Sequence, residues 1–195
     1  MTNLIEKLQS GERLDADECA GLYDLDLFTL GKFANAKRRK LHGKKVFFNV
    51  NRHINPTNVC ADVCKFCAFS ANRKNPNPYT MSHEEILKIV EKSVAGGAKE
   101  IHIVSAHNPD TSWQWYLEIF KKIKEKYPQI HVKALTAAEV DFLSRKHGLS
   151  YEEVVEKMLE YGIDSMPGGG AEIFDEAIRR KICKGKVSSE NWLKI

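Results

Sequence analysis

After its first forty-odd residues the chain repeats one pattern: a short β-branched or aromatic run, a polar loop, then an amphipathic helix. The runs fall at residues 45–50, 100–104, 130–135 and 163–166, and each reads as a strand. The segments after them read as helices over 82–94, over 112–126, in pieces up to Tyr161, and from near Ala171. Ser82 and Glu85 have the spacing of a capping box, and Gly96-Gly97 marks the stop of the helix they open. Strands alternating with helices pair in parallel through right-handed crossovers, so the expected class is α/β, a partial TIM-type (β/α) barrel with function at the carboxyl ends of its strands. Four such units do not close an eight-stranded barrel. The chain also stops inside a helical pattern at Trp192-Leu193-Lys194-Ile195, so a chain truncated before barrel closure is expected. Leu4, Ile5 and Leu8, and then Leu27, Leu30, Phe33, Ala34 and Leu41, recur at helical spacing, with Asp15 placed to cap a short turn. Residues 1–44 are therefore read as a helical extension and 45–195 as the first part of the barrel domain.

The chemistry is concentrated in the first strand-to-helix loop, where Cys60, Cys64 and Cys67 form a C-x3-C-x2-C run. Three of the five cysteines crowd into this run, unlike the dispersed, even set of a secreted disulfide scaffold. Three thiolates can hold three irons of a 4Fe-4S cluster and leave the fourth iron open to a small molecule. A structural zinc site is the alternative, and it needs a fourth ligand from the distant His53, His83 or Cys183. Cys19 and Cys183 lie far from the triad in sequence and read as inert thiols. With 30 basic and 26 acidic residues the surface is mixed, and no nucleic acid partner is implied. No apolar run approaches the roughly 20 residues of a membrane span, so a cytoplasmic protein with no membrane partner is expected.

The triad, with Phe66 beside its last cysteine, resembles the radical S-adenosylmethionine superfamily. The flanking stretches 53–60 and 65–70 resemble the enzymes of the futalosine route to menaquinone and their deazaflavin-making relatives. Residues 133–139, 166–172 and 180–188 agree, and together the likeness is strongest to the aminofutalosine synthase family. That resemblance implies a 4Fe-4S cluster on Cys60, Cys64 and Cys67, with S-adenosyl-L-methionine chelated to the open iron and consumed as a co-substrate. A one-electron donor such as flavodoxin or ferredoxin would reduce the cluster. The 5'-deoxyadenosyl radical so formed would add to the small-molecule substrate 3-[(1-carboxyvinyl)oxy]benzoate, giving 6-amino-6-deoxyfutalosine. Alternatives are the dehypoxanthine futalosine cyclase, a deazaflavin synthase-like enzyme, or an inactive cluster- or zinc-binding fragment.

Further candidates follow from position. Ser105 and Ala106 end the second strand where relatives carry a Gly-Gly pair, and the resemblance places them, with Phe66, against S-adenosylmethionine; a plain Asn-Pro turn is the other reading. Thr136 and Glu139, just past the third strand, are cofactor candidates for the ribose hydroxyls, although Glu139 also suits a first helical turn. Gly168, Gly169 and Gly170, with Glu172 beside them, are candidates for substrate contact, since glycines allow approaches that a Cβ forbids. His53 and Asn55 leave the first strand towards the cysteines and either orient a ligand or tie the loop. Arg73 and Lys74 are lesser candidates for a substrate carboxylate. Trp113, Trp115, Tyr116 and Phe120 read as one packed helix face.

Overall fold

Strand pairing follows chain order. β1 (Asn51–Ile54), β2 (Glu100–Ile103) and β3 (His131–Ala134) form one open parallel sheet, β1-β2-β3, in which Asn51 faces Glu100 and Glu100 faces His131. The computed structural model describes residues 2–71 and 76–195. It divides into two compact units, Met1–Phe48 and Asn49–Ile195, and the sheet belongs to the second. The first unit holds α1 (Thr2–Ser10), α2 (Ala16–Gly21) and α3 (Leu27–His42). Asp15 caps α2 in a full capping box with Glu18, and the Asp26 carboxylate accepts from the first amides of α3.

In the second unit every crossover is a helix whose start is written in a polar cap. Ser82 and Glu85 open α4 (His83–Ala95), Ser112 opens α5 (Trp113–Lys126), and Thr136 with Glu139 opens α6 (Ala137–His147). Ser150 with Glu153 opens α7 (Tyr151–Glu160), and Asp175 and Ser188 open α8 (Glu176–Ile182) and α9 (Ser189–Lys194). Each such cap satisfies helix amides that have no partner within the helix. The helices cover one face of the sheet. Ile54, Ile101, Ile103, Val132 and Ala134 pack there with Ile86 and Val90 of α4, with Tyr116, Phe120 and Ile123 of α5, and with Val140 and Leu143 of α6. Ile101, Ile103 and Phe120 are completely buried, and each such side chain contributes about 1.5–3 kcal/mol by leaving water.

The α/β class and the parallel order match the sequence reading, while three boundaries differ. Residues 45–50 are not a strand; β1 begins at Asn51, and Val46, Phe47 and Phe48 are exposed. A strand is defined by its partner, and β2 pairs with Asn51–Ile54 although only Ile54 of that segment is buried. Residues 163–166 make a single parallel bridge, Lys133 with Ser165, and no ladder. The helix expected near Ala171 starts at Glu176. The carbonyls of Gly170, Ala171 and Ile173 are all taken by the buried Arg179 guanidinium and cannot propagate a helix. Trp113, Tyr116 and Phe120 are buried on α5, whereas Trp115 is partly buried against the His83 ring.

Replacing Phe120 by alanine should lower unfolding free energy by about 3–5 kcal/mol, read as a reduced urea midpoint at unchanged slope.

Candidate functional site

At the carboxyl ends of β1 and β2 lies a cavity of about 220 Å³ lined by Cys60, Cys64 and Cys67 together with Asn55, Phe66, Ser105, Ala106, His107 and Lys186. The loop that carries the cysteines is shaped by buried polar bonds. The Thr57 hydroxyl donates to the Tyr79 carbonyl at 2.8 Å and receives the Asn108 amide at 3.1 Å. Asn58 bridges Asn77 and Tyr79, and the Ala61 amide donates to the His107 carbonyl at 2.9 Å. Asn55 spans to the end of β2 by donating to the Val104 carbonyl at 2.9 Å. The far wall comes from residues 182–187: the Lys65 amide donates to the Ile182 carbonyl at 2.7 Å. A Cβ on Gly185 would sit 3.0 Å from Asp62 Cγ and 3.3 Å from Asp62 Cα, so this wall touches the cysteine loop only because residue 185 is glycine.

Charge around the cavity is unevenly distributed. Burial pushes the Cys64 thiol up to about 12, with Lys186 opposing and Asp62 reinforcing the shift. Burial also raises Cys60. At Cys67 burial is outweighed by hydrogen bonds from the Ser70 and Phe69 backbone and the Ser70 side chain, and its thiol lies below the ordinary value. Asp62 is 2.8 Å from His107 Nδ1, and both are almost completely buried. Burial raises the Asp62 carboxyl, but His107 and the charges of Arg145 and Lys186 bring it below its usual range. The His107 ring stacks on Phe142 at 4.8 Å.

Lys186, like Asp62 and His107, is a cavity residue that the sequence reading did not single out. Its ammonium is 2.5 Å from Glu172 Oε1 and 5.7 Å from the centre of the Phe66 ring. Glu172 reaches it from a left-handed backbone position, φ 40°. That conformation is costly for a residue with a Cβ and persists where surroundings impose it, and Arg179 does so through its grip on the neighbouring carbonyls. Both basic residues lie in or beside the 180–188 stretch, where the signal was a run of lysines and arginines that gives no sign of which one turns inward.

The structure sorts the sequence candidates. Cys60, Cys64, Cys67, Phe66, Asn55, Ser105 and Ala106 come together at the cavity. Glu139 does not reach it: the side chain is 4% exposed, and its two oxygens accept from the Ser105 amide at 2.8 Å and the Thr136 amide at 2.7 Å. The Thr136 hydroxyl accepts from the Glu139 amide as the cap of α6. Both residues hold the ends of β2 and β3 together. Gly169 and Gly170 are needed for packing, since Cβ atoms there would meet Thr136 Cγ2 at 2.7 Å and Ala138 Cβ at 2.8 Å. Gly168 has open space where a Cβ would stand, and Glu172 touches the cavity through Lys186. His53 lies below the cavity on β1, its ring 4.7 Å from that of His102. Cys19 is exposed, Cys183 is buried, and neither lines the cavity. Arg73 and Lys74 lie outside the described residues.

The donor set fits an iron-sulfur cluster. Among the described residues no three His, Cys, Asp or Glu side chains converge as the shell of a single metal ion does. The three cysteines instead surround one shared cavity, which suits a group with several irons and sulfur ligands. Raised thiol pKa values mean that metal must displace protons to bind. Among the described residues no helix is long and apolar enough to cross a membrane.

Comparison with known proteins places this geometry. The family description of the Radical SAM superfamily matches residues 54–195, and the chain belongs to that superfamily. Among curated proteins it is 39% identical over 193 residues to an aminodeoxyfutalosine synthase of Thermus thermophilus, covering 98% of this chain and 52% of that protein. It is 34% identical over 204 residues to a 5-amino-6-(D-ribitylamino)uracil–L-tyrosine 4-hydroxyphenyl transferase of Microcystis aeruginosa, covering 100% of this chain and 54% of that protein. The chain thus spans about half the length of the curated relatives it matches. Among solved structures, methylornithine synthase (PylB) superposes with a TM-score of 0.74 at 20% identity, covering 98% of this chain and 53% of that one, which shows a shared fold.

Two outcomes test the site. Gly185→Ala should lower the iron and sulfide bound on anaerobic reconstitution while leaving the far-ultraviolet circular dichroism unchanged. Glu139→Gln should flatten the pH dependence of stability. Burial raises the Glu139 carboxyl, so the folded form binds the proton more tightly and loses stability as pH rises above about 4.3, the unfolded value. The glutamine variant lacks that loss, and urea midpoints measured across the acid range check the difference in slope.

Proposed function

We propose that the chain is the cluster-bearing part of an aminofutalosine synthase-type transferase, in which Cys60, Cys64 and Cys67 hold a 4Fe-4S cluster. The observation that carries this reading is the convergence of the three cysteines with Phe66, Ser105 and Ala106 on one cavity at the strand ends, in a chain 39% identical over 193 residues to an aminodeoxyfutalosine synthase. The bound cluster and S-adenosyl-L-methionine supply a 5'-deoxyadenosyl radical, and the substrate is 3-[(1-carboxyvinyl)oxy]benzoate.

The chain's own residues supply binding, orientation and exclusion of water. The Thr57, Asn58 and Asn108 bonds hold the cysteine loop in shape. Phe66 and Ala106 give the cavity apolar walls beside the thiols, which limits the water that could quench a reactive carbon. Lys186, held by Glu172, puts a positive charge next to the thiolate loop and favours its anionic form. A one-electron donor such as flavodoxin or ferredoxin completes the system, in an intracellular reducing setting.

Protein reconstituted with iron and sulfide, in its full-length form, reduced and given S-adenosylmethionine and the benzoate, should form 6-amino-6-deoxyfutalosine by mass spectrometry. Cys64→Ala should abolish it. Release of free 5'-deoxyadenosine without the adduct would point instead to hydrogen abstraction, as in the futalosine cyclase or a deazaflavin synthase, and would discard the substrate assignment.

A further inference from the structure

The face of the sheet that the helices leave uncovered is polar. Barrel interiors are ordinarily filled by branched apolar side chains in layers. Here the apolar residues of β1, β2 and β3 all point to the helices, and the alternate positions are Asn51, His53, Glu100, His102, His131 and Lys133.

Register arranges them in rows. Asn51, Glu100 and His131 stand side by side, and one pleat higher stand His53, His102 and Lys133, with Ser165 bridged to Lys133. The lower row is satisfied partly from the row above: Asn51 donates to Glu100 at 3.2 Å, Glu100 pairs with Lys133 at 3.0 Å, and His131 Nε2 is 2.8 Å from the Ser165 hydroxyl. In the upper row Lys133 is paired in this way, but the histidine beside it is not. His102 Nε2 is buried without a hydrogen-bond partner, while the His53 side of the pair is exposed. A buried polar atom left unpaired costs about 1–3 kcal/mol, which a ligand would recover. Two residues further along the same face, Asn55 and Val104 line the cysteine cavity, so the row lies roughly 7 Å beneath its floor.

We propose that His53, His102 and Lys133 form a binding row for the carboxylate of an aromatic acid, extending the cysteine cavity down the inner face of the sheet. The row offers the ring hydrogens of two imidazoles 4.7 Å apart and an ammonium that Glu100 holds at 3.0 Å. Burial, with His53 and Lys133 nearby, holds His102 below its ordinary pKa, so the ring is neutral and can donate from one nitrogen. The row deepens the proposed function, on which it rests for the aromatic dicarboxylate character of the substrate, and it assigns the residues that would grip that substrate.

The test is binding of isophthalate, a benzene dicarboxylate, to the chain without cluster, followed by calorimetry and by histidine-ring NMR, with neutral isophthalamide as the comparison. Isophthalate should shift the His53 and His102 ring signals and isophthalamide should not. His102→Gln and Lys133→Met should each weaken binding about tenfold, the effect of losing one hydrogen bond to a charged group. His53→Gln, at an exposed position that the core does not use, should weaken it with an unchanged amide spectrum. Lys121→Met, on the outer face of α5, should leave it unaltered. Unmoved ring signals, or wild-type affinity in the His53 and His102 variants, would overturn the row. Isophthalate binding without aminofutalosine formation keeps the row and removes the reaction; aminofutalosine formation with unaltered affinity in the variants does the reverse.

Discussion

Everything at the carboxyl end of this sheet depends on which way its strands face, and burial of Ile54, Ile101, Ile103, Val132 and Ala134 beneath the helices decides that. Because side chains alternate along a strand, a slip of one residue would turn those five into the open and bring the histidines and lysine inward to the helices. Several kilocalories per mole of apolar burial therefore hold the register, and the register places Asn55, Val104 and Ser105 at the cavity.

The second layer of control is polar. The cysteine loop has little apolar surface of its own to bury, so its shape rests on Thr57 and Asn58 bonding to backbone groups that would otherwise be unpaired, and on Asn108 donating to the Thr57 hydroxyl. Arg179 acts in the same way at the other wall, taking four carbonyl groups and fixing the loop that delivers Glu172 to Lys186. Such residues do no chemistry, yet each holds a backbone segment where a ligand-facing group needs it.

Legibility in the sequence divides along the same line. The helix starts were readable because a cap is a local device: Ser82 with Glu85 and Thr136 with Glu139 act over three residues. The cysteine triad was readable because its three thiols lie within one loop. The first strand was misplaced because the apolar run at 46–48 has stronger strand character than Asn51–Ile54, and only the position of β2 decides which segment pairs. Glu139 was left between a ligand and a first-turn residue because a carboxylate past a strand end suits a ribose as well as it suits two backbone amides, and sequence does not say where those amides are. Lys186 went unremarked because it is one of several lysines and arginines in its stretch, distinguished only by a partner 14 residues away.

What the sequence determined by itself was the α/β alternation, the caps and the clustered thiols, since each depends on contacts or spacings within a few residues. The tertiary structure alone decided which face of the sheet became polar, which basic residue entered the cavity and which carboxylate was spent on structure. Those outcomes depend on register and on the approach of segments about 30 to 120 residues apart, and such approaches are set by the burial of the whole core, not by any local pattern.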